Sequence, residues 1–247
     1  PNCIFLLPGL MLAHSLVLPV LVRTFLIGRL KAGDYPLWGL TFFRWWAQRK
    51  TLMVTPLYLL AGSPFLNQYL NLLGARIAKH AHIATLDIES PEFIEIHDQA
   101  CIGYEVTLAP YAFLNGKLRL GPIRVESAAC IGSRSLIGCN TVIGENAVIG
   151  ELTLVEAGAD IKSEEHWQGS PRKKVEPATS SYTIIPAVPI KWKLGHRIVF
   201  LFMIFLLFHV SYHGALAGIL LTSELMSKFG IPGLILAVPT SGLAFTV

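Results

Sequence analysis

The chain has 247 residues, 53% of them hydrophobic and 15% charged, with a mean hydropathy of +0.54. That is length for one or two domains and a composition too apolar for an ordinary water-soluble one; collagen-like and disordered classes are excluded. The formal charge of +4 divides into +5 over residues 1–75, −6 over 76–166 and +5 over 167–247, so no basic groove gathers on the middle segment and nucleic acid is not an expected partner.

The sequence starts at Pro1 and stops inside an apolar run at Val247, which reads as a piece of a larger polypeptide. Cys3 to Val22 carries no charge over twenty residues, enough at about 1.5 Å per residue to cross ~30 Å of hydrocarbon. Arg23, Arg29 and Lys31 follow it, so residues 1–31 are predicted to be a transmembrane helix with its basic flank on the cytoplasmic side. Tyr35 to Trp38 and Phe42 to Trp46 then interleave aromatic rings with cations, the composition of a segment at headgroup depth. Thr51 to Gly62 is apolar, short and broken by Pro56, and is placed in the same interface. Ser63-Pro64, the apolar residues Phe65, Leu66, Tyr69, Leu70, Leu72 and Leu73, and then Gly74 predict a capped amphipathic helix. Residues 32–75 are thus an interfacial aromatic segment followed by a capping helix.

A period of six governs residues 76–175. Ile96, Ile102, Leu108, Leu114 and Leu120 stand six apart, and after a one-residue slip at Val125 the series continues through Ile131, Ile137, Ile143, Ile149, Val155 and Ile161. Glycine follows the aliphatic at 103, 121, 132, 138, 144 and 150, and a small or β-branched residue precedes it by two. No amphipathic helix has this period; short flat strands joined by tight turns do. With the aliphatic inward, the small residue on the same face and glycine relieving the bend, three hexads close one coil of a parallel β-helix, and the series makes about four coils. Ile77 and Ile83 give one earlier step, residues 84–95 are predicted as an excursion from the coil, and Trp167 to Pro171 ends it.

Residues 176–197 read as a linker. Lys191, Lys193 and Arg197 precede a second uncharged run, Ile198 to Thr222, and a third from Phe229 is cut by the end of the chain, so residues 198–247 are expected to hold further transmembrane helices. His209 and His213 share one face of that second span. No third ligand accompanies them, and no metal is assigned. Cys3, Cys101, Cys130 and Cys139 show no CxxC pair, as expected of reduced thiols.

Hexad arrays ending in Gly-Ser-Pro resemble the left-handed β-helix acyltransferases. Gly33 to Trp38, Arg44 to Trp46, Leu60 to Leu66, Leu73 to Ile77, Leu118 to Pro122 and Trp167 to Pro171 together resemble the membrane-embedded terminal domains of nonribosomal-peptide-synthetase-like proteins, the class that includes poly-amino-acid synthetases. The resemblance implies a mainly β fold, a left-handed parallel β-helix flanked by transmembrane helices. It implies a membrane-anchored acyl- or aminoacyl-transferase module working on carrier-bound thioesters at the cytoplasmic face. Phosphopantetheine would sit on an upstream carrier domain, with no cofactor in this fragment. The partners implied are an adenylation domain, that carrier domain, sister modules, membrane lipid and copies of the chain itself. A non-catalytic scaffold is the alternative.

Acyl transfer needs a base near neutral pKa and a donor for the developing oxyanion. Among His80, His82, His97 and His166, His97 follows the core aliphatic Ile96 at a predicted corner beside the 84–95 excursion, and His82 precedes Ile83. The family's rhythm carries a His where this chain has Tyr111 and an acid where it has Asn115. Tyr111 and Asn115 are therefore candidate hydrogen-bond donors, Asn115-Gly116 being also a turn signal. Asp98 is a weak candidate to orient His97. Arg172, Lys173 and Lys174 leave the coil as solvated cations or as an attraction for an anionic pantetheine phosphate.

Overall fold

A computed structural model describes residues 3–61, 63–176 and 194–229; the expected linker beyond 176 and the apolar run after Phe229 lie outside them. The chain divides into two compact units, one of residues 15–191 and one joining 1–14 to 192–247.

In the larger unit the core aliphatics build three parallel sheets. One contains Arg76–Ile77, Ile94–Ile96, Ile123–Val125, Thr141–Ile143 and Asp160–Ile161; the second contains His82–Ile83, Cys101–Ile102, Cys130–Ile131, Val148–Ile149 and His166–Gln168; the third contains Thr107–Leu108, Leu136–Ile137 and Leu154–Val155. Each aliphatic stands on its equivalent one turn below: Ile131 on Ile102 and under Ile149, Ile137 on Leu108 and under Val155, Val125 under Ile143. Ile96, Ile102, Leu108, Val125, Ile131, Ile137, Ile143, Ile149, Val155 and Ile161 are at most 1% exposed, so the interior is a continuous aliphatic column. The small residues behind them, from Ala100 to Thr153, are buried with it. Ser135 keeps its hydroxyl satisfied by donating to the Gly150 carbonyl (2.9 Å) and accepting from Thr153 N–H (3.1 Å).

Three expectations change. Leu114 and Leu120 are not coil positions. Residues 111–120 leave the coil as an antiparallel hairpin, Tyr111–Leu114 with Lys117–Leu120, whose second strand pairs with Gly33–Pro36; Leu114 is 45% exposed at its end and Leu120 is buried in a separate core. The 84–95 excursion is smaller than predicted, because Ile88 bridges in parallel to Leu108 and supplies the third side of the first turn. The glycines that directly follow the aliphatics, finally, do not make the bend. The left-handed residue at each corner stands three beyond the aliphatic, at Gln99, Glu105, Ala128, Arg134, Asn140, Asn146, Leu152, Gly158 and Glu164. Gly132 and Gly144 are needed for close stacking: a Cβ would lie 2.6 Å from Glu151 N at the first and 2.5 Å from Ser163 N at the second.

Helix α1 (Cys3–Leu21) continues into a π-helical turn at Val22–Ile27. The stretch Gly9–Ile27 is the one described segment long and apolar enough to cross a bilayer. Helix α2 (Leu40–Met53) lies against the hairpin, and helix α3 (Pro64–Leu72) covers the first turn of the coil. Ser63 caps α3 as predicted, its hydroxyl accepting from Phe65 N–H. Two asparagines of α3 close the open strand edge: Asn71 donates to the Ile77 carbonyl (2.9 Å) and accepts from Ile77 N–H (2.8 Å), while Asn67 donates to the Ala81 carbonyl (2.9 Å). At the far end Lys173–Val175 turns back antiparallel on His166–Gln168, so Lys173 and Lys174 form a terminal strand rather than a free exit.

The smaller unit holds helix α4 (Leu194–Phe229). Its described apolar stretch is Ile198–Gly214, shorter than the expected second crossing, so among the described residues there is one candidate span, and the third expected one falls outside them. His209 and His213 do share a face, with Nε2 atoms 2.9 Å apart.

Candidate active site

His97 ends the strand Ile94–Ile96 and turns out at the corner. Its Nε2 lies 3.5 Å from Glu95 Oε1 and 3.6 Å from Glu126 Oε2, one carboxylate from its own strand and one from the next turn. Arg124 donates to Glu95 at 3.0 Å and holds that carboxylate in place. The imidazole is 39% exposed and edges an open hollow of about 380 Å³ lined by Asn71, Ala75, Arg76, Ile77, Glu95 and His97. One imidazole nitrogen thus stands within 3.6 Å of two carboxylates, at the edge of a hollow open to solvent. Asp98 does not orient it; Asp98 Oδ1 meets Nδ1 of His80 at 3.0 Å instead.

The other candidates stand elsewhere. His82 is exposed on the outer face of the second sheet, in register with Cys101. Tyr111 is not at a coil corner. It begins the hairpin, with its ring 5.0 Å from Trp45 and 5.8 Å from Phe113, and the Arg49 guanidinium 5.5 Å from its centroid. Burial, reinforced by the Glu89 carboxylate, pushes its phenol up to about 12, so it stays protonated and packs. Asn115 and Gly116 both adopt positive φ (49° and 70°), the turn between hairpin strands that their pairing suggested. The described contacts bring none of His97, His82, Tyr111 and Asn115 together.

Two features were hidden in the sequence. Glu126 reaches His97 from the next turn, and Glu95 and its partner Arg124 are 29 residues apart because the hairpin is inserted between them. The same interval separates Cys101 from Cys130, which stand on adjacent rungs of the second sheet. Both thiols are free and half-buried. A hydrogen bond from Cys130 draws the Cys101 thiol down to about 7, while the Cys130 thiol is pushed well above its usual range. Among the described residues no three His, Cys, Asp or Glu side chains converge as a metal site.

No family model matches the chain. It is similar to the delta-poly-L-ornithine synthetase of Acinetobacter baumannii (strain AB307-0294), 36% identical over 161 residues, which is 65% of this chain and 12% of that protein. The chain therefore spans about an eighth of the length of this relative. Among solved structures it is similar to a maltose O-acetyltransferase from Clostridium difficile 630 (15% identity, 59% of this chain and 92% of that one, TM-score 0.46). It is also similar to AntD, an N-acyltransferase from Bacillus cereus (21% identity, 41% and 62%, TM-score 0.36). The coil is established by its own strand register, not by these overlaps.

Proposed function

We propose that the chain is an acyl- or aminoacyl-transferase module of a longer membrane-attached synthetase, working on thioesters presented by a carrier domain elsewhere in that protein. The observation that carries this reading is the 36% identity over 161 residues to a protein named for making a poly-amino acid. The placement of His97 supports it. In the module's reaction an amine enters the hollow, His97 removes its proton as nitrogen attacks the thioester carbonyl, and Glu95 and Glu126 stabilise the imidazolium. Arg76, on the hollow's rim, steadies the developing oxyanion. The proton on His97 then leaves with the carrier's thiolate.

The hexad with its following glycine supports a left-handed coil for the solenoid. The basic residues after Gly9–Ile27 support a cytoplasmic position for it, with α4 and the residues beyond as further membrane helices. Carrier and adenylation domains, sister modules, lipid and further copies of the chain are the partners of this reading, and phosphopantetheine arrives on the carrier.

The test is product formation by the full-length protein. His97→Ala should lower turnover by about 10²–10⁴-fold, the usual contribution of a positioned base, while His82→Ala and Tyr111→Phe stay close to wild type. A second reading, a non-catalytic scaffold, is favoured by the separation of the four candidates. Unchanged turnover in a folded His97→Ala protein would establish it in place of the first.

A further inference from the structure

Helix α2 has two apolar faces. One is used: Trp45 and Leu52 are buried, Trp45 Nε1 donates to Ser90 Oγ (3.0 Å), Gln48 donates to Glu92 (2.6 Å) and Arg49 to Glu89 (2.6 Å). These contacts fix the helix's rotation on the coil. Among the described residues nothing covers the opposite face. Leu40 (76%), Phe43 (51%), Trp46 (46%) and Met53 (67%) are exposed at helical spacing, with the exposed Lys50 among them. Trp38 extends the patch just ahead of the helix, 76% exposed. Its φ is 68°, a left-handed backbone that costs a bulky residue ~1–2 kcal/mol and turns the indole outward.

We infer that Trp38, Leu40, Phe43, Trp46 and Met53 form a docking face for the headgroup layer of an anionic bilayer, with Lys50 within it. Isolated exposed apolar residues need no explanation, but a contiguous stripe on a rotationally fixed helix marks an interaction site. Three observations choose lipid over protein. The patch follows in sequence the apolar stretch Gly9–Ile27, whose Leu21, Phe25 and Leu26 are also exposed, and helix α2 packs against the turn Val22–Ile27. The chain between carries exposed Arg29 and Lys31, and the one acid of the first 75 residues, Asp34, is held bidentately by Arg119 at 2.7 and 2.9 Å. Indoles mixed with cations and unopposed by free carboxylates match the boundary between phosphate and acyl chain. The inference rests on the membrane reading of Gly9–Ile27 and is independent of acyl transfer.

The test places a photoreactive benzophenone side chain at Phe43 or Trp46 of the full-length protein in phosphatidylglycerol vesicles, with the same probe at Val17 and at Leu136 on the coil. Val17 and Leu136 are 49% and 42% exposed. Lipid adducts at 43 and 46 should match those at 17, exceed those at 136 several-fold, and fall when phosphatidylcholine replaces the anionic lipid. Adducts at 43 and 46 that are protein-only, or no more lipid-rich than at 136, overturn the inference, and a second copy or another domain then covers the face. No lipid adduct at 17 overturns it together with the membrane reading. Folding is checked by the far-ultraviolet signature of the coil.

Discussion

The Cys101 thiol shows how a residue's chemistry depends on a neighbour one turn away. Accepting a hydrogen bond from Cys130 favours its thiolate. Iodoacetamide should therefore modify Cys101 with a midpoint near pH 7, set by the value of about 7, whereas Cys130→Ala should move the midpoint up toward that of an ordinary thiol. The buried Cys139 should stay unmodified until the protein unfolds. Gly144 makes the complementary case for space. Because an added Cβ would meet backbone 2.5 Å away, Gly144→Ala should cost about 1–3 kcal/mol, the range for overpacking, seen as an earlier denaturant midpoint. Gly158 (φ +80°) has nothing within 4 Å of such an atom, so Gly158→Ala should cost only backbone strain. From its place after Ile143, Gly144 reads as a bend former. The sequence shows that a side chain is absent and cannot show what occupies its place.

Among the elements, the coil was legible and the hairpin was not, for one reason. Period-six aliphatics are required by parallel stacking, so Ile96 to Leu108 and Val125 to Ile161 declared themselves. Leu114 and Leu120 keep the same period inside the hairpin while serving other contacts, and the traces of the insertion were the slip at Val125 and the Asn115-Gly116 turn signal. His97 could be nominated from its position after Ile96, but Glu126 could not, since it reaches the imidazole from another turn. The last two strands carry a pH prediction. Lys174 and Trp167 hold the Glu165 carboxyl down to about 2, below its ordinary 4.5, so this contact favours the fold above that ordinary value and is lost as pH falls from there toward 2. Lys174→Met should flatten acid unfolding of the strand Lys173–Val175, read by amide exchange. Glu92 behaves oppositely, because burial raises its carboxyl. Its charged form opposes folding as pH rises, and Glu92→Gln should raise Tm more at pH 7 than at pH 4.

For the molecule as a whole, the hairpin is the bracket that seats α2. Trp45, Phe93, Leu118 and Leu120 make a second core outside the coil, with Tyr35, Phe42 and Tyr111 against it. Removing residues 110–120 would join Ala109 to Gly121 and bring Val125 six places after Leu108. That deletion should leave the coil's strand signature intact while tryptophan emission shifts to the red as Trp45 loses its cover. Loss of all β structure would show instead that the coil depends on its bracket.

The strand register has an architectural corollary. Every turn is floored by the one beneath through matching rungs, so the solenoid is built in storeys of about 4.8 Å, the ordinary spacing between strands. Duplicating or excising one complete set of three hexads between Val125 and Ile161 would raise or lower the roof by a single storey without disturbing the ground floor under α3, and height becomes a quantity that inheritance can adjust in whole steps.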